Sequence, residues 1–417
     1  MHTVAPVKLH SSPVLSWNVK FRKNVNNHVN INGCTTDIDI ANEFADHFSK
    51  VYYNSHEDWT SRDSYYSDHE KCKQVSGERI GYCIESVSVE LVDKCIHDLK
   101  KGKACGPDDL TAEHLLYAHP SLVVHLTMLF KAILIHGFVP DSFGAGICVP
   151  LIKDKIGYVN DINNYRIITL SPIIAKLFEM VVLSICDEYF VTDPLQFGFK
   201  RNMGCSDAIF ALRCTIEQFT QCGSSIYAAS LDIRKAFDTV HHFKLYRTLL
   251  SCGVPWFIVD VLCNWYSKMF VVIRWNGALS RTLCVQSGVR QGGCMSPTIF
   301  NMFINAFIVQ LRQLSVGCFI GTEFVGCLLY ADDIILLSPS IVGLQRMLDK
   351  CSNAASVLSL QFNTSKSHCI VFGKTHKATL PPMLLDGMVI KFDIMPCKRE
   401  FYSACNVFSC TAPMWMS

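Results

Sequence analysis

The chain has 417 residues, of which 50% are apolar and 18% are charged, and its formal net charge is +2. This composition allows a substantial buried core and excludes a generally disordered chain. The small net charge excludes a strongly basic nucleic-acid coat protein, so any surface that binds phosphates must be local.

Residues 1–75 show little sustained periodicity and are predicted to form a linker-like segment, with a polar connector at 51–71. No secretory signal or transmembrane segment is expected, which places the chain inside the cell, in the cytoplasm or the nucleus. The 21 cysteines include no Cys-x-x-Cys pair. Reduced thiols are therefore expected, rather than a zinc site or a disulfide scaffold.

From residue 85 onward, apolar residues recur at helical spacing and later alternate as in strands. Helices are predicted at about 87–99, 111–117, 121–136, 172–190, 297–311 and 341–358. Strands are predicted at 226–233 and 368–372, with hairpins at 271–285, around Asn276-Gly277, and at 324–338. Helices and antiparallel hairpins are mixed without a regular βαβ alternation, which favours the α+β class.

The tip of the last hairpin, Tyr330-Ala331-Asp332-Asp333, places two adjacent carboxylates between apolar strands. Such carboxylates repel each other and lose solvation unless a cation or water relieves them. An ordinary solvated turn is the alternative, because Asp is a favoured turn residue.

Asp232 strengthens the first interpretation, because it ends an apolar strand in residues 231–238 (LDIRKAFD). A carboxylate at a strand end and two on a hairpin tip can converge across a sheet. Oxygen-only clusters suit hard divalent cations, and two such ions about 3.5–4 Å apart stabilise both the attacking and the leaving oxygen in phosphoryl transfer. Asp238, a rival to Asp232, is expected to cap the helix that starts after Ala236-Phe237.

A glycine-rich segment, residues 287–297 (SGVRQGGCMSP), precedes a predicted helix. Its glycines let the backbone approach a ligand closely, and Pro297 suits the first turn of the helix. Alone, such a turn is more often structural than functional. The Lys-Ser/Thr pair of a Walker A loop is missing, so a P-loop is not predicted.

Together these segments resemble a known family. Residues 231–238, 287–297 and 330–333 (YADD), in this order and spacing, are similar to the successive palm motifs of reverse transcriptases, and more narrowly to those of non-LTR (LINE-type) retrotransposons. Residues 102–113 (GKACGPDDLTAE), 149–170 and 196–211 resemble the fingers motifs of that family, and residues 363–372 (NTSKSHCIVF) resemble the palm motif after the catalytic hairpin.

The resemblance implies an α+β right-hand polymerase, with helical fingers at 76–225, an antiparallel-sheet palm at 226–375 and a thumb that is largely absent. Residues 376–417 are expected to form a degenerate or truncated tail, because the usual aromatic-Tyr-Leu-Gly continuation is missing after residues 384–390. No endonuclease-like stretch is expected before the core in residues 1–75. The implied reaction is RNA-directed DNA synthesis, in which a primer 3′-OH attacks the α-phosphate of a deoxynucleotide on an RNA or DNA template.

The resemblance also assigns the residues that would handle metal ions and protons. Asp232 and Asp332 would hold two Mg²⁺ ions, which Mn²⁺ can replace, with help from the Ile233 carbonyl. Asp333 would be the third carboxylate. Lys366 would donate a proton to the departing pyrophosphate, and a solvated lysine is the alternative for this residue.

Five further residues are assigned to substrates by the same resemblance. Phe237 would lie beneath the incoming sugar and reject a ribose 2′-OH; alone, it would be a core residue. Arg166 and Lys153 would bind the triphosphate, the alternative being two exposed basic side chains. Gln291 and Gly292 would pack against the nascent base pair and the template. The implied partners are a primer–template and a dNTP, and the oligomeric state is left open.

Two blocks depart from the family pattern. Residues 165–168 read Tyr-Arg-Ile-Ile instead of Tyr-Arg-Pro-Ile, and residues 106–109 read Gly-Pro-Asp-Asp instead of Gly-Pro-Asp-Gly. The end of the chain favours a catalytically inactive remnant that at most binds nucleic acid, whereas the intact carboxylate set opposes this alternative. A polymerase outside the retroelements, such as an intron maturase, is a second alternative, although no segment resembles a maturation domain.

Overall fold

A computed structural model describes residues 30–52, 59–75, 79–154, 157–373, 380–390 and 392–393. The helices are α1 (Asp37–Tyr52), α2 (Trp59–Val75), α3 (Arg79–Ser86), α4 (Val89–His97), α5 (Ala112–Leu116), α6 (Ser121–His136), α7 (Asp141–Gly144), α8 (Ile173–Ile185), α9 (Cys205–Gln221), α10 (His242–Ser251), α11 (Trp256–Tyr266), α12 (Ser296–Arg312) and α13 (Ile341–Leu358). The strands are β1 (Ala145–Ile152), β2 (Tyr165–Leu170), β3 (Ile226–Leu231), β4 (Phe270–Trp275), β5 (Ala278–Leu279), β6 (Leu283–Cys284), β7 (Phe319–Ile320), β8 (Glu323–Phe324), β9 (Cys327–Tyr330), β10 (Asp333–Ser338), β11 (His368–Phe372), β12 (Met383–Leu385), β13 (Met388–Ile390) and β14 (Phe392–Asp393).

Most of these strands belong to two sheets. In the first sheet the order is β2-β1-β4-β5, and β6 also pairs with β4. In the second, which we call the central sheet, the order is β14-β11-β3-β10-β9. β3 pairs antiparallel with both β11 and β10, with Leu231 opposite Ile334. This register brings Asp232 and the β9–β10 turn to the same end of the sheet. The mixture of helices and largely antiparallel sheets confirms the predicted α+β class.

The core of the molecule is built around α12. Most residues of this helix are buried, so apolar residues occur on nearly every side of it. Phe300, Phe303 and Phe307 are fully buried. α10 and α13 pack against it. It shares one apolar cluster with Leu231 and Ile334 of the central sheet, so truncating one of its phenylalanines to Ala would cost about 3–5 kcal/mol of stability.

Local capping explains why two helices match the sequence prediction. α6 is followed by its C-cap, Gly137, whose φ of 65° is left-handed and suits glycine. α13 begins after Ser340, whose hydroxyl oxygen accepts a 3.0 Å hydrogen bond from the Gly343 N–H. α8 is shorter than predicted: it ends at Ile185, because the residues after it form turns.

The prediction of a polar connector at 51–71 is wrong for the second half of this segment, which lies in α2. Tyr65 of this helix is 1% exposed, and its ring packs 5.8 Å from Phe243 and 5.5 Å from Tyr246 of α10. α2 carries few apolar residues, so tertiary packing on α10 stabilises it more than any periodicity of its own. Residues 53–58 lie outside the described residues.

α1 packs against the first sheet. Phe44 is fully buried, with its ring stacked on Trp275 of β4 at 5.3 Å and edge-on to Tyr165 of β2 at 5.0 Å. Arg281 also donates a hydrogen bond to Asp46 of this helix, and both side chains are exposed. α1 is therefore part of the folded structure rather than a free linker. The domain boundaries at residues 75, 225 and 375 stay predictions.

The hairpin predicted at 271–285 has an interrupted second arm, which consists of β5 and β6. Ser280 lies between these two strands. The Ile273 N–H donates to the Ser280 hydroxyl, and the Ser280 N–H donates to the Ile273 carbonyl, both at 2.9 Å. A hydroxyl thus takes a place in the ladder that a backbone carbonyl would otherwise fill.

The hairpin at 384–390 is β12–β13, and Gln345 of α13 holds it through two 2.9 Å hydrogen bonds to the backbone of Leu384. β14 then joins the central sheet beside β11. The other residues of the predicted tail, 376–379, 391 and 394–417, lie outside the described residues. In the ranges that the structure describes, no helix combines the length and apolar character needed to cross a membrane.

Candidate active site

Asp232 follows β3, and Asp332 lies in the turn between β9 and β10. Burial, together with the charge of Asp232, raises the pKa of Asp332 to about 6, although the charge of Lys366 opposes the rise. The backbone of Asp232 is fixed: its N–H donates to the Ser367 hydroxyl at 3.3 Å, and its carbonyl accepts from the Asn363 N–H at 2.7 Å. The carboxylate of Asp232 therefore acts electrostatically on that of Asp332, and a bound cation would relieve both the burial and the repulsion.

Asp333 lies near a different element. The pKa of the Cys205 thiol, at the start of α9, is raised by burial and then by the charge of Asp333. Within the described residues, no group of three His, Cys, Asp or Glu side chains is arranged to hold a metal ion. The structure thus contains a carboxylate pair. Convergence of all three carboxylates, with Asp333 as the third, stays a prediction.

Lys153 lies within electrostatic range of three other basic residues. We call these four residues the cationic cluster: Lys153, Arg166, Lys235 and Lys366. The pKa of Lys153 is lowered by burial and then by the positive charges of Lys366, Lys235 and Arg166. The Nε of Arg166, on β2, is buried and has no hydrogen-bond partner among the residues that the structure describes. Positive charge beside a carboxylate pair suits a polyphosphate that carries a metal ion.

Lys235 belongs to this cluster and His47 lies next to it, and the sequence analysis did not select either residue. Lys235 has a left-handed φ of 45°, and its Nζ lies 3.3 Å from Nε2 of His47 on α1. The pKa of His47 is lowered by burial and then by the charges of Lys235 and Lys153. Lys235 could have been found from its place three residues after Asp232. No comparable signal pointed to His47, because its segment was interpreted as a linker.

The glycine-rich loop is tied by its backbone to two other segments. The Gly288 N–H donates to the Val240 carbonyl at 2.8 Å. A Cβ on Gly288 would lie 2.7 Å from the Asp238 carbonyl oxygen, and its φ is 88°, so only glycine fits here. The Thr169 N–H of β2 donates to the Gln291 carbonyl at 2.7 Å. The loop is therefore fixed between β2 and the segment that follows β3.

Asp238 does not cap a helix, which corrects the expectation from sequence. α10 starts at His242, with His241 as its N-cap. Asp238 is 6% exposed and accepts a 2.8 Å hydrogen bond from Nε2 of Gln291. Burial raises the pKa of Asp238 to about 6, against the Gln291 hydrogen bond and the charges of nearby lysines. The chain makes a left-handed turn at Lys235, and α10 starts only at His242. Asp238 therefore lies before the helix and contacts the glycine-rich loop.

Two buried charged residues, Glu179 and Arg290, stabilise the glycine-rich loop. Glu179 of α8 is 4% exposed and accepts hydrogen bonds from the backbone N–H groups of Cys294 and Met295, where α12 begins. A carboxylate is favourable at a helix N-terminus. Arg290 is also buried, and its guanidinium donates to two backbone carbonyls. Burial raises the pKa of Glu179, and the positive charge of Arg290 opposes this rise. Gly292 itself has a φ of 123°, which suits only glycine.

The ring of Phe237 is half-buried. It stacks on Phe300 of α12, with ring centroids 4.3 Å apart and planes 19° apart, and it meets Phe199 edge-on at 6.0 Å. One face of the ring thus belongs to the core, while part of the side chain stays accessible to a substrate. This placement accommodates both the core role and the sugar-selecting role, and the second stays a prediction.

The model of the family described as reverse transcriptase (RNA-dependent DNA polymerase) matches residues 153–384, more than half of the chain. The chain belongs to the reverse transcriptase family. All of the residues that the sequence analysis selected for the site lie within the matched region.

The reverse transcriptase chain is similar to three proteins of mobile elements. The Pol polyprotein of the type-2 retrotransposable element R2DM of Drosophila melanogaster is 28% identical over 210 residues, which cover 50% of this chain and 20% of that protein. The Pol polyprotein of the type-1 element R2 of Popillia japonica is 27% identical, with 67% and 39% covered. The RNA-directed DNA polymerase of the mobile element jockey of Drosophila funebris is 26% identical, with 69% and 32% covered.

These relatives are proteins of non-LTR retrotransposons, as the resemblance predicts. The chain spans between 20% and 39% of their length. Among solved structures, apo telomerase from Candida tropicalis, truncated from its C-terminal domain, is similar with a TM-score of 0.43 and 12% identity, over 62% of this chain and 56% of that chain.

Reverse transcriptases use divalent metal ions, and the site of this reverse transcriptase chain fits such ions. Small divalent cations keep several waters and bind through one or two carboxylates plus substrate phosphates, rather than in a cage made by the protein. Asp232 and Asp332 are two carboxylates that could bind such an ion. The raised pKa of Asp332 indicates that neighbouring protein groups do not fully offset the cost of its charge.

Proposed function

We propose that this chain carries out RNA-directed DNA synthesis for a non-LTR retrotransposon. In this reaction the 3′-OH of a primer attacks the α-phosphate of a dNTP, the bond to pyrophosphate breaks, and an RNA or DNA template selects the nucleotide. The observation that carries the proposal is the Asp232–Asp332 pair beside the cationic cluster, within the region that matches the family. A carboxylate pair next to positive charge is what a metal-bound triphosphate requires.

Asp232 and Asp332, with the carbonyl of Ile233, would hold Mg²⁺, which Mn²⁺ can replace. When bound, the metal stabilises charge on the attacking and leaving oxygens. The protein's part is to keep the two carboxylates facing each other, and the pairing of β3 with β10 supports this role. Asp333 is proposed as a third carboxylate at the same hairpin tip.

Arg166 and Lys153 would bind the triphosphate. The buried Nε of Arg166 has no partner in the described protein, so a phosphate oxygen would satisfy it. Lys366 acts electrostatically on both Lys153 and Asp332. This place between the cations and the carboxylates supports its proposed role as proton donor to the departing pyrophosphate.

Gln291 and Gly292 would pack against the nascent base pair and the template. The hydrogen bond to Asp238 orients Gln291 before a substrate binds, which lowers the cost of binding. Phe237 would lie beneath the sugar of the dNTP, and its stacking on Phe300 would keep the ring from moving aside for a 2′-OH. The proposed partners are therefore a primer–template and a dNTP, and the proposed place of action is the cytoplasm or the nucleus.

Primer extension tests the proposal. The chain is incubated with a DNA primer on an RNA template, dNTPs and Mg²⁺, next to Asp332→Asn and to Asp187→Asn, which changes an exposed carboxylate outside the site. We expect extension by the parent and by Asp187→Asn, and none by Asp332→Asn. A parent that binds primer–template without extending it would support the inactive remnant. Mg²⁺-dependent synthesis by Asp332→Asn would reject the proposed site.

A further inference from the structure

The turn that carries Asp332 has an unfavourable backbone conformation at one residue. Ala331 has a φ of 55°, in the left-handed region that favours glycine. Because Tyr330 pairs with Asp333, Ala331 occupies the first central position of a two-residue turn. A non-glycine residue keeps this conformation only where its surroundings hold the backbone in place.

One side chain, that of Gln196, fixes the backbone of Ala331. Gln196 is fully buried, with 0% of its surface exposed. Its Oε1 accepts hydrogen bonds from the Ala331 N–H at 3.2 Å and from the Gly198 N–H at 2.9 Å. Its Nε2 donates to the Ala331 carbonyl at 3.4 Å. Both polar groups of the Ala331 backbone are therefore bound by one amide side chain.

Gln196 is fixed by its own neighbours. Backbone hydrogen bonds of 2.8 and 2.9 Å connect the residues on either side of it to Leu329 of β9. Asn301 of α12 donates a 2.6 Å hydrogen bond to the Gly198 carbonyl. A Cβ on Gly198 would lie 2.3 Å from the backbone nitrogen of Ala331, so glycine is required for this close approach. The contact between this segment and the turn is thus tight on both sides.

We propose that Gln196 is a positioning residue that holds the hairpin tip so that the Asp332 carboxylate faces Asp232. This inference rests on the proposed function. Asp332 directly follows Ala331, so any rotation of the peptide between them would displace the carboxylate. Groups behind a metal ligand that fix its orientation matter nearly as much as the ligand itself. A neutral amide does this without adding charge to an acidic site.

Three substitutions isolate the proposed role. Gln196→Met nearly preserves length and volume but removes all three hydrogen bonds. Gln345→Met is the matched control, because Gln345 binds the N–H and the carbonyl of Leu384 in another hairpin in the same way. Ala331→Gly removes the backbone conflict, since glycine adopts a positive φ without help.

Binding of Mn²⁺ alone to the full chain, followed by electron paramagnetic resonance, gives the readout. We expect Gln196→Met to weaken Mn²⁺ binding about tenfold or more. Gln345→Met should bind as the parent does, and Asp332→Asn should lose this site. In the Ala331→Gly background, Gln196→Met should lose less affinity, because the turn then holds its own conformation. A purely structural role would not produce this coupling.

Hydrogen exchange at the Ala331 amide provides a second measurement, which does not depend on metal or activity. The exchange should be faster in Gln196→Met and unchanged in Gln345→Met. If Gln196→Met fails to fold, Gln196→Asn, whose amide is one methylene too short, replaces it with the same expectations. Equal Mn²⁺ affinity of the folded Gln196 variant and the parent, with Asp332→Asn unable to bind, would overturn this inference alone. Mn²⁺ binding that is the same in the parent and in Asp332→Asn would overturn the proposed metal site and the inference with it.

Discussion

The side-chain amide of Gln291 donates a 2.8 Å hydrogen bond to Oδ1 of Asp238, and this bond joins the glycine-rich loop to the segment that carries Asp232. Asp238 is 6% exposed, so little water solvates its carboxylate. A buried carboxylate is unfavourable unless hydrogen bonds and opposite charges compensate it. The bond therefore orients Gln291 and also lowers the cost of a charge inside the protein.

Replacing Asp238 by Asn is expected to change the pH dependence of stability. Burial raises the pKa of Asp238 from an ordinary value of 3.8 to about 6. Between these values the folded state binds more protons than the unfolded state, so rising pH removes on the order of 3 kcal/mol of stability through this group. Asp238→Asn stays neutral. Its Tm relative to the parent should therefore increase as the pH rises from about 4 to 7.

Thermal unfolding in EDTA at several pH values measures this difference. Asp187→Asn, which makes the same substitution at an exposed carboxylate outside the site, is measured alongside as the control. A pH-independent difference between Asp238→Asn and the parent would show that the Asp238 carboxylate does not titrate in the way proposed.

Divalent metal is expected to stabilise the parent and not Asp332→Asn. Without metal, burial and the charge of Asp232 both act against ionised Asp332, so Asp332→Asn should melt above the parent at neutral pH. A ligand that binds only the folded state stabilises it by about 2.7 kcal/mol at a concentration 100-fold above its Kd. Melting curves in EDTA, Mg²⁺ and Mn²⁺ test both statements. An equal rise in Tm on adding metal to both proteins would contradict the assignment of Asp332 as a ligand.

The sequence pattern indicates the candidate site residues whose signal is local. Asp232 and Asp332 stand out because each interrupts an apolar strand pattern within a few residues. The supporting contacts could not be predicted, because their partners are remote in sequence: Asp238 and Gln291 are 53 residues apart, and His47 and Lys235 are 188 residues apart.

The same distinction holds for the fold. α6 and α13 carry their own end signals, in Gly137 and Ser340, and their bounds were predicted from sequence. α2 carries almost no apolar periodicity, and it becomes a helix through the packing of Tyr65 against α10. Tertiary contacts of this kind are invisible in a single sequence, which is why α2 was assigned to a connector.

Removing Arg166 is expected to weaken dNTP binding. Its buried Nε has no partner within the described part of the chain, and a hydrogen bond from a charged donor to a phosphate is worth about 1.5–3 kcal/mol. Arg166→Gln should therefore raise the KM for dNTP by about 10- to 150-fold. Arg166→Lys keeps the charge but loses Nε, so its KM for dNTP should lie between those of the parent and of Arg166→Gln. Arg213→Gln, which removes an exposed arginine paired with Glu217 on α9, is the control. Steady-state extension kinetics give the values, and an unchanged KM in Arg166→Gln would remove this residue from the triphosphate site.

The final prediction concerns Phe237. Phe237→Val shortens the side chain proposed to lie beneath the sugar, so ribonucleotides should be accepted. Discrimination between dNTP and NTP, measured as a ratio of kcat/KM values, should fall by about 10- to 200-fold, the range that a change in one pocket contact produces.

Stability must be measured in parallel, because the ring of Phe237 also stacks on Phe300 at 4.3 Å, and losing such an aromatic pair costs about 1 kcal/mol beyond the lost buried area. Phe307→Val is the matched control: it shortens a fully buried phenylalanine of α12, so it should lower Tm at least as much and leave discrimination unchanged. Loss of discrimination in Phe237→Val but not in Phe307→Val would separate contact with the sugar from general loosening of the core. If a folded Phe237→Val variant still rejects ribonucleotides as the parent does, Phe237 is a core residue, and another group must select the sugar.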